Sequence, residues 1–249
     1  MTLMRPFVKA TRDRFDPDGR EMRRMEREVE AAIARALDKL RRATMQGVTD
    51  DNVQDMVTRL SDPAITRPFQ DVVVDQLQRI ALAGSEFARD TVEREVFGVR
   101  KDVSVGMWEL ANTAAAQWAI SWGQSLVGMI LATTTERIQA EIAAYIMNSQ
   151  TIGQLTEKVR WGYVYSEERA RAIAVTEVTR AYAEGNRAAW RASGVIQKRR
   201  WNTNNDEKVC PICRPLNGVV VGLDEKFPGE IDGPPGHSRC RCWVTPVVE

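Results

Sequence analysis

The residues best suited to chemistry lie together near the end of this 249-residue chain. All four cysteines and the single histidine are there: Cys210 and Cys213 form a C-x2-C pair, and after a gap of 23 residues His237 and Cys240 form an H-x2-C pair, with Cys242 following. Zinc is held by four thiolate or imidazole ligands in a tetrahedron, and one tight turn can present two ligands spaced in this way. We predict a structural zinc site of Cys210, Cys213, His237 and a fourth ligand, which is either Cys240 or Cys242. These last two cysteines share one face of an extended segment, so either could complete the site.

Disulfide bonds, or buried free thiols, are the alternatives to a metal. The first fifteen residues contain no apolar core of a signal peptide, so we expect a reducing compartment, and the histidine in register with the cysteines also favours metal. A catalytic zinc keeps an open coordination position beside a general base. Here the candidate ligands are in surplus and there is no second histidine, which indicates a structural role.

A helix from Ser166 to Ser193 is predicted to precede this cluster, with Gly194 as its C-cap. Glu177 lies on a face of that helix made of small residues, which we expect to pack against the metal module. We interpret Glu177 as structural, held by an ion pair or a hydrogen bond. The alternative is a catalytic acid, which would need a pocket with complementary groups.

The C-terminal segment resembles a known family. The pattern C-P-x-C-x-x-L-N-G from Cys210 to Gly218 and the pattern P-P-x-H-x-x-C-R-C from Pro234 to Cys242 are similar to the C-terminal signature of the phage Mu protein F family of minor head, or head morphogenesis, proteins. The sequence RARAIAVTEVTRAYAEGN at 169–186 is similar to that family's R-x-x-x-I-A-x-T-E-x-x-x-A helix. The resemblance covers the chain from about residue 165 to its end, and the first 160 residues show no family pattern.

This resemblance implies a minor structural protein of a tailed-phage head, present in few copies in the head interior near the portal. Such a protein would be assembled in the host cytoplasm and would join the virion. Its implied partners are the portal and capsid proteins, with packaged DNA as a further candidate. Its implied role is to support head assembly, DNA packaging or DNA ejection, without enzyme activity or a small-molecule substrate.

Two other functions compete with this interpretation: a metal-dependent nuclease or toxin-like enzyme, and a zinc-stapled nucleic-acid-binding module. A local excess of basic residues favours the nucleic-acid-binding module. Residues 160–200 hold nine Lys or Arg against four Asp or Glu, and Trp201 could stack a base beside basic neighbours. Six basic side chains are candidates for contact with phosphate or a partner protein: Arg169, Arg180, Arg187, Lys198, Arg199 and Arg200.

The composition is that of a soluble globular protein, with 43% hydrophobic and 28% charged residues. The net charge of +1 excludes a global electrostatic field directed at nucleic acid. Residues 110–135 carry no charge, but their Asn, Gln and Ser side chains would be costly in a bilayer. We therefore expect this stretch to be a helix packed in a core or on a partner, and not a membrane span.

The predicted fold is mostly α and α+β overall. Hydrophobic periodicity predicts helices at 20–46, 51–60, 68–97, 105–132, 133–147 and 152–161. Runs of β-branched and aromatic residues at 196–203, 219–221 and 242–248, with a turn at Asn217 and Gly218, predict a small antiparallel sheet. The expected domains are an N-terminal arm at 1–19, a helical body at 20–165, a long connecting helix at 166–194 and a zinc-binding β module at 195–249. A module of that size needs a staple.

Overall fold

A computed structural model describes residues 19–95, 105–204 and 209–247. The predicted arm at 1–19, apart from its last residue, and the predicted helix end at Phe97 lie outside this range. The described helices are α1 (Arg20–Met45), α2 (Asp55–Arg59), α3 (Pro63–Glu95), α4 (Val105–Met147), α5 (Ile152–Trp161) and α6 (Glu167–Ser193). The strands are β1 (Lys198–Asn202), β2 (Val220–Gly222) and β3 (Trp243–Val247). The predicted fold class, mostly helical with a small C-terminal sheet, is confirmed.

The chain packs into two compact units, each assembled from separated segments. The first comprises Met1–Arg27, Leu77–Ile120 and Val175–Glu249, and the second comprises Glu28–Gln76 and Ser121–Ala174. The long helices α1, α3, α4 and α6 each contribute to both units. The predicted domains begin at residues 20, 166 and 195 and describe parts that fold independently. The two compact units do not test this division, so it stays a prediction.

The start of α3 differs from the prediction that Pro68 opens this helix. The helix begins at Pro63, and the Asp62 carboxylate accepts a hydrogen bond of 2.8 Å from the Ala64 N–H. Asp62 therefore serves as N-cap and Pro63 as the first helical residue, where a missing N–H costs nothing. Pro68 lies in the second turn, inside the helix.

The helix α4 is one continuous segment of 43 residues, where the sequence predicts two. Thr133 donates to the Met129 carbonyl at 3.0 Å and Thr134 to the Ile130 carbonyl at 2.7 Å. Threonine hydroxyls satisfied in this way within a helix do not interrupt it. In the part of the chain that the structure describes, no helix, α4 included, is long and apolar enough to cross a membrane.

Within the first unit, α6 crosses α3 at very short range. A Cβ atom on Gly185 would lie 1.9 Å from the Ala81 carbonyl oxygen, and one on Gly84 would lie 2.3 Å from the Tyr182 carbonyl oxygen. Glycine is required at both positions because any side chain would collide with backbone. This part of the small-residue face therefore packs on α3 and not on the metal module as expected.

The sheet has the strand order β2-β1-β3, and both pairings are antiparallel. Trp201 on the central strand is fully buried and meets Phe227 edge to face, with ring centroids 5.1 Å apart. The turn before β2 has Asn217 and Gly218 at its centre: the Val219 N–H donates to the Leu216 carbonyl at 2.9 Å, and Gly218 has φ +82°. A positive φ at this position of a type II turn accounts for the glycine.

Candidate metal centre

Two loops of the first unit bring the predicted ligands together. Cys210 and Cys213 lie on the turn between β1 and β2, and His237, Cys240 and Cys242 lie on the segment leading into β3. The ligand atoms form two triads, each within 4.8 Å: Cys210, Cys213 and His237, and Cys213, Cys240 and Cys242. Cys213 belongs to both, so its sulfur is the atom that all the others approach.

The separations suit a tetrahedral site. The Sγ atoms of Cys213 and Cys240 are 3.7 Å apart, and two thiolates on one tetrahedral zinc ion would be about 3.8 Å apart. The Sγ of Cys210 lies 3.0 Å from the Nε2 of His237, which is closer than the roughly 3.6 Å of a shared zinc ion. Metal binding at this edge therefore requires the pair to open by about half an ångström.

The histidine has the tautomer that a metal ligand needs. Its Nδ1–H donates to the Ser238 carbonyl, with 2.8 Å between nitrogen and oxygen. The Nε2 atom of His237 then carries the lone pair and faces the Cys210 sulfur. A ring nitrogen bonded to a backbone carbonyl orients the imidazole for coordination through the other nitrogen.

Backbone N–H groups support two of the sulfurs. The Cys213 N–H donates to the Cys210 Sγ at 3.3 Å, and the Cys240 Sγ accepts from the N–H groups of Gly236 and Cys242. A hydrogen bond from the Cys242 thiol, aided by these N–H donors, lowers the pKa of Cys240 to about 5. Burial raises the pKa of Cys213 to about 12, and the hydrogen bond to Cys240 raises the pKa of Cys242.

The donor set therefore fits zinc in type, number and spacing. Four thiols and one imidazole supply only sulfur and nitrogen, and neither triad contains a carboxylate. No disulfide joins the four cysteines, although Cys213, Cys240 and Cys242 are buried. Buried thiols grouped around one point are what a structural zinc site requires.

The helix α6 holds the loop that carries His237 and Cys240. The Thr176 hydroxyl accepts a hydrogen bond of 3.0 Å from the Arg239 N–H and lies 3.5 Å from the Ser238 hydroxyl. Sequence reasoning missed this role of Thr176. The signal was present, because Thr176 falls within the helix pattern at 169–186 that resembles the family.

Glu177 is buried beside this contact, with 5% of the residue exposed. Its carboxylate accepts a hydrogen bond of 3.2 Å from the Arg180 guanidinium one turn later. The partly exposed guanidinium and the buried carboxylate form an ion pair within α6, and a structural role for Glu177 stays a prediction.

Two of the six basic candidates are buried, which removes them from any partner surface. The Arg169 guanidinium donates to the Thr134 hydroxyl at 2.8 Å and to the carbonyls of Val164 and Ile130 at 2.7 and 3.0 Å. All three of these acceptors belong to the second unit, where Arg169 holds α6 to α4.

Arg199 has a comparable internal role in the first unit. It is 2% exposed, donates to the Glu225 carbonyl at 2.7 Å and lies 5.0 Å above the Phe227 ring. Burial, together with the nearby Arg187 charge, lowers its pKa to about 10. The predicted partner contact at Arg199 is therefore corrected to a core contact.

The remaining basic candidates keep some exposure. Lys198 is exposed and Arg200 half-buried, while Arg187 pairs with Glu184 at 2.7 Å. Trp201, by contrast, is fully buried, so the expectation that it stacks a base is wrong. Its ring packs edge to face on Phe227, on one face of the sheet.

Comparison with known proteins agrees with the resemblance stated above. Residues 136–245 match the family model described as Phage Mu protein F like protein. The uncharacterized protein YqbB of Bacillus subtilis (strain 168) is 24% identical over 73% of this chain and 61% of its own length. This chain thus spans about three fifths of that curated relative. No solved structure matches the chain significantly.

Proposed function

We propose that this chain, whose residues 136–245 carry the Phage Mu protein F like pattern, is a minor structural protein of a tailed-phage head that acts by binding. The observation that carries the proposal is that the family match and the cluster of candidate ligands fall in the same segment of the chain. The segment that matches the family model is the segment in which the cysteines and the histidine converge on one point.

We further propose that one structural zinc ion is held by Cys210, Cys213, His237 and Cys240. Cys240 is preferred to Cys242 as the fourth ligand because its sulfur lies 3.7 Å from the Cys213 sulfur and accepts two backbone N–H bonds. Such bonds stabilise a metal-bound thiolate. The strands of this module have only five, three and five residues, so zinc binding supplies folding free energy that so small a sheet lacks.

Binding is favoured over catalysis by the way the polar groups are used. With four ligands around zinc there is no open coordination position for water or substrate. Glu177, the carboxylate that a nuclease or toxin-like enzyme would recruit, is buried and already bonded to Arg180. A catalytic base needs to reach its substrate.

The proposed partners are the portal and capsid proteins, in the head interior near the portal, with packaged DNA as a further contact. Arg180, Arg187, Lys198 and Arg200 retain enough exposure to contribute to such a surface. Arginine pairs well with carboxylates and phosphates. A protein bound in the head interior near the portal would support head assembly, DNA packaging or DNA ejection.

The test uses phage particles made without this chain. Shells should still form, but they should package or deliver DNA poorly, and supply of the intact chain should restore both. Complementation with Cys213→Ser should fail, whereas Cys242→Ser should restore function if Cys240 is the fourth ligand. Particles that package and deliver DNA normally in its absence would contradict the proposal.

A further inference from the structure

A groove of about 660 Å³ runs between α1 and the first half of α3, within the second unit. Its floor is apolar and buried, and is formed by Ala36 and Leu40 of α1 and Phe69 of α3. Small side chains such as Ala32 and Ala64 line its sides and keep it open. Its size falls within the range of about 300–1,000 Å³ that is typical of ligand-binding clefts.

The two rims of the groove carry opposite charges. Arg35 and Lys39 lie one helical turn apart on the α1 rim, and Asp71 and Asp75 lie one turn apart on the α3 rim. All four residues are exposed, and none of them forms an ion pair with another residue that the structure describes. The groove therefore presents one basic and one acidic row on either side of an apolar floor.

An amphipathic helix fits this arrangement better than a compact ligand does. Residues three and four apart are neighbours on a helix surface, so charges spaced one turn apart on each rim can pair with charges on the two flanks of a helix. A small-molecule site needs a few converging polar groups in its floor, and Ala36, Leu40 and Phe69 offer no polar side chain. Nucleic acid fits poorly, because the acidic rim would repel its phosphates.

We propose that this groove binds an amphipathic helix of a partner protein, with an apolar face flanked by one acidic and one basic edge. The acidic edge pairs with Arg35 and Lys39, and the basic edge pairs with Asp71 and Asp75. Helices that lay their apolar face in a groove are a recurring mode of recognition. The proposal involves no residue of the metal centre and does not depend on the proposed function.

The test uses three synthetic helical peptides of about 18 residues, long enough for five turns. They share one leucine-rich face and differ only in their flanks, which are Glu and Lys, Glu and Glu, or Lys and Lys. In fluorescence anisotropy with the full chain, the mixed peptide should bind about tenfold more tightly than either like-charged peptide. The double substitution Arg35→Glu and Lys39→Glu makes both rims acidic and should move the preference to the Lys and Lys peptide.

Two tryptophan substitutions on α1 provide a matched pair. Ala32→Trp places a large side chain in the groove and should weaken binding of the mixed peptide at least tenfold, whereas Ala31→Trp, on the exposed surface outside the groove, should leave it unchanged. A photo-crosslinker at Val72, which lines the groove, should react with the bound peptide. Equal binding of all three peptides would overturn the proposal. So would crosslinking of Val72 to a second copy or to another segment of this chain.

Discussion

Replacement of Cys213 by serine should abolish binding of the proposed zinc ion and unfold the C-terminal module alone. Cys213 is 1% exposed and is the only residue shared by the two ligand triads. Without its sulfur, no group of three candidate ligands remains within 4.8 Å among the residues that the structure describes. A serine hydroxyl does not replace a thiolate in a structural zinc site.

The expected loss is large in relation to the stability of the module. Structural zinc contributes an apparent 10–16 kcal/mol or so in zinc-finger peptides at neutral pH, and whole domains are stable by only about 5–15 kcal/mol. Loss of one of four ligands removes most of that contribution. The three short strands cannot replace it, so β1, β2 and β3 should lose their order.

Two assays on purified protein measure the two parts of this prediction. Elemental analysis should give about one zinc ion per chain for the intact protein and almost none for Cys213→Ser. Hydrogen exchange should show lost protection from about residue 198 onward, with protection retained in the second unit. Cys242→Ser is the matched control and should keep its zinc.

Retention of one zinc ion by Cys213→Ser, together with native hydrogen-exchange protection in the strands, would refute this role of Cys213. Loss of protection throughout the chain would contradict the local role of the metal and the predicted independence of the β module. Zinc retained by Cys240→Ser but lost from Cys242→Ser would reverse the assignment of the fourth ligand.

Three further substitutions test the packing. Gly185→Ala should destabilise the protein by about 2–4 kcal/mol in denaturant unfolding, because the new Cβ would lie 1.9 Å from the Ala81 carbonyl oxygen. Gly128→Ala is the control and should be neutral or stabilising, because a Cβ at Gly128 would meet no neighbouring atom within 4 Å. Equal effects of the two substitutions would refute the close crossing of α6 and α3. Arg169→Met should cost about 2–4 kcal/mol, since two backbone carbonyls and a hydroxyl lose a donor, and an unchanged melting temperature would argue against its structural role. Glu177→Gln should cost less stability than Glu177→Leu, because the glutamine amide oxygen still accepts a hydrogen bond. Loss of a measurable enzyme activity in Glu177→Gln, with the fold intact, would instead support a catalytic role for Glu177.

The helices and the convergence of the cysteines and the histidine could be predicted from the sequence because both depend on local spacing. The helix at 152–161 begins and ends as predicted, and the predicted helix from Ser166 has that residue as its N-cap. The C-x2-C and H-x2-C pairs needed only their spacing to predict convergence. Periodicity also gave the burial of Glu177, since its neighbours on the helix face are small.

The errors concern contacts between distant parts of the chain, which local patterns do not encode. Arg169 resembles a surface residue in its type, yet it is buried because carbonyls of α4 and of the turn before α6 accept its hydrogen bonds. Trp201 and Arg199 sit in a basic run that is typical of nucleic-acid contacts, but both lie on the face of β1 that packs on Phe227 and are buried there. Phe227 belongs to the segment between β2 and β3, and no short motif states that this segment folds over β1.

The groove between α1 and α3 could not be predicted for the same reason. Arg35 and Asp71 each lie on an ordinary amphipathic helix, and only the packing of the two helices places their charges on opposite rims. The sequence showed a dense mixture of charges on α1, which is typical of a solvated face. In the proposed complex, part of that charged face pairs with the charges of a partner helix.

Quantitative mass spectrometry of purified phage particles tests the central claim most directly. We expect this chain to be present in each head in few copies, far below the number of shell subunits, and to carry about one zinc ion per copy. Its complete absence from heads, or a copy number equal to that of the shell protein, would contradict the assignment as a minor head protein.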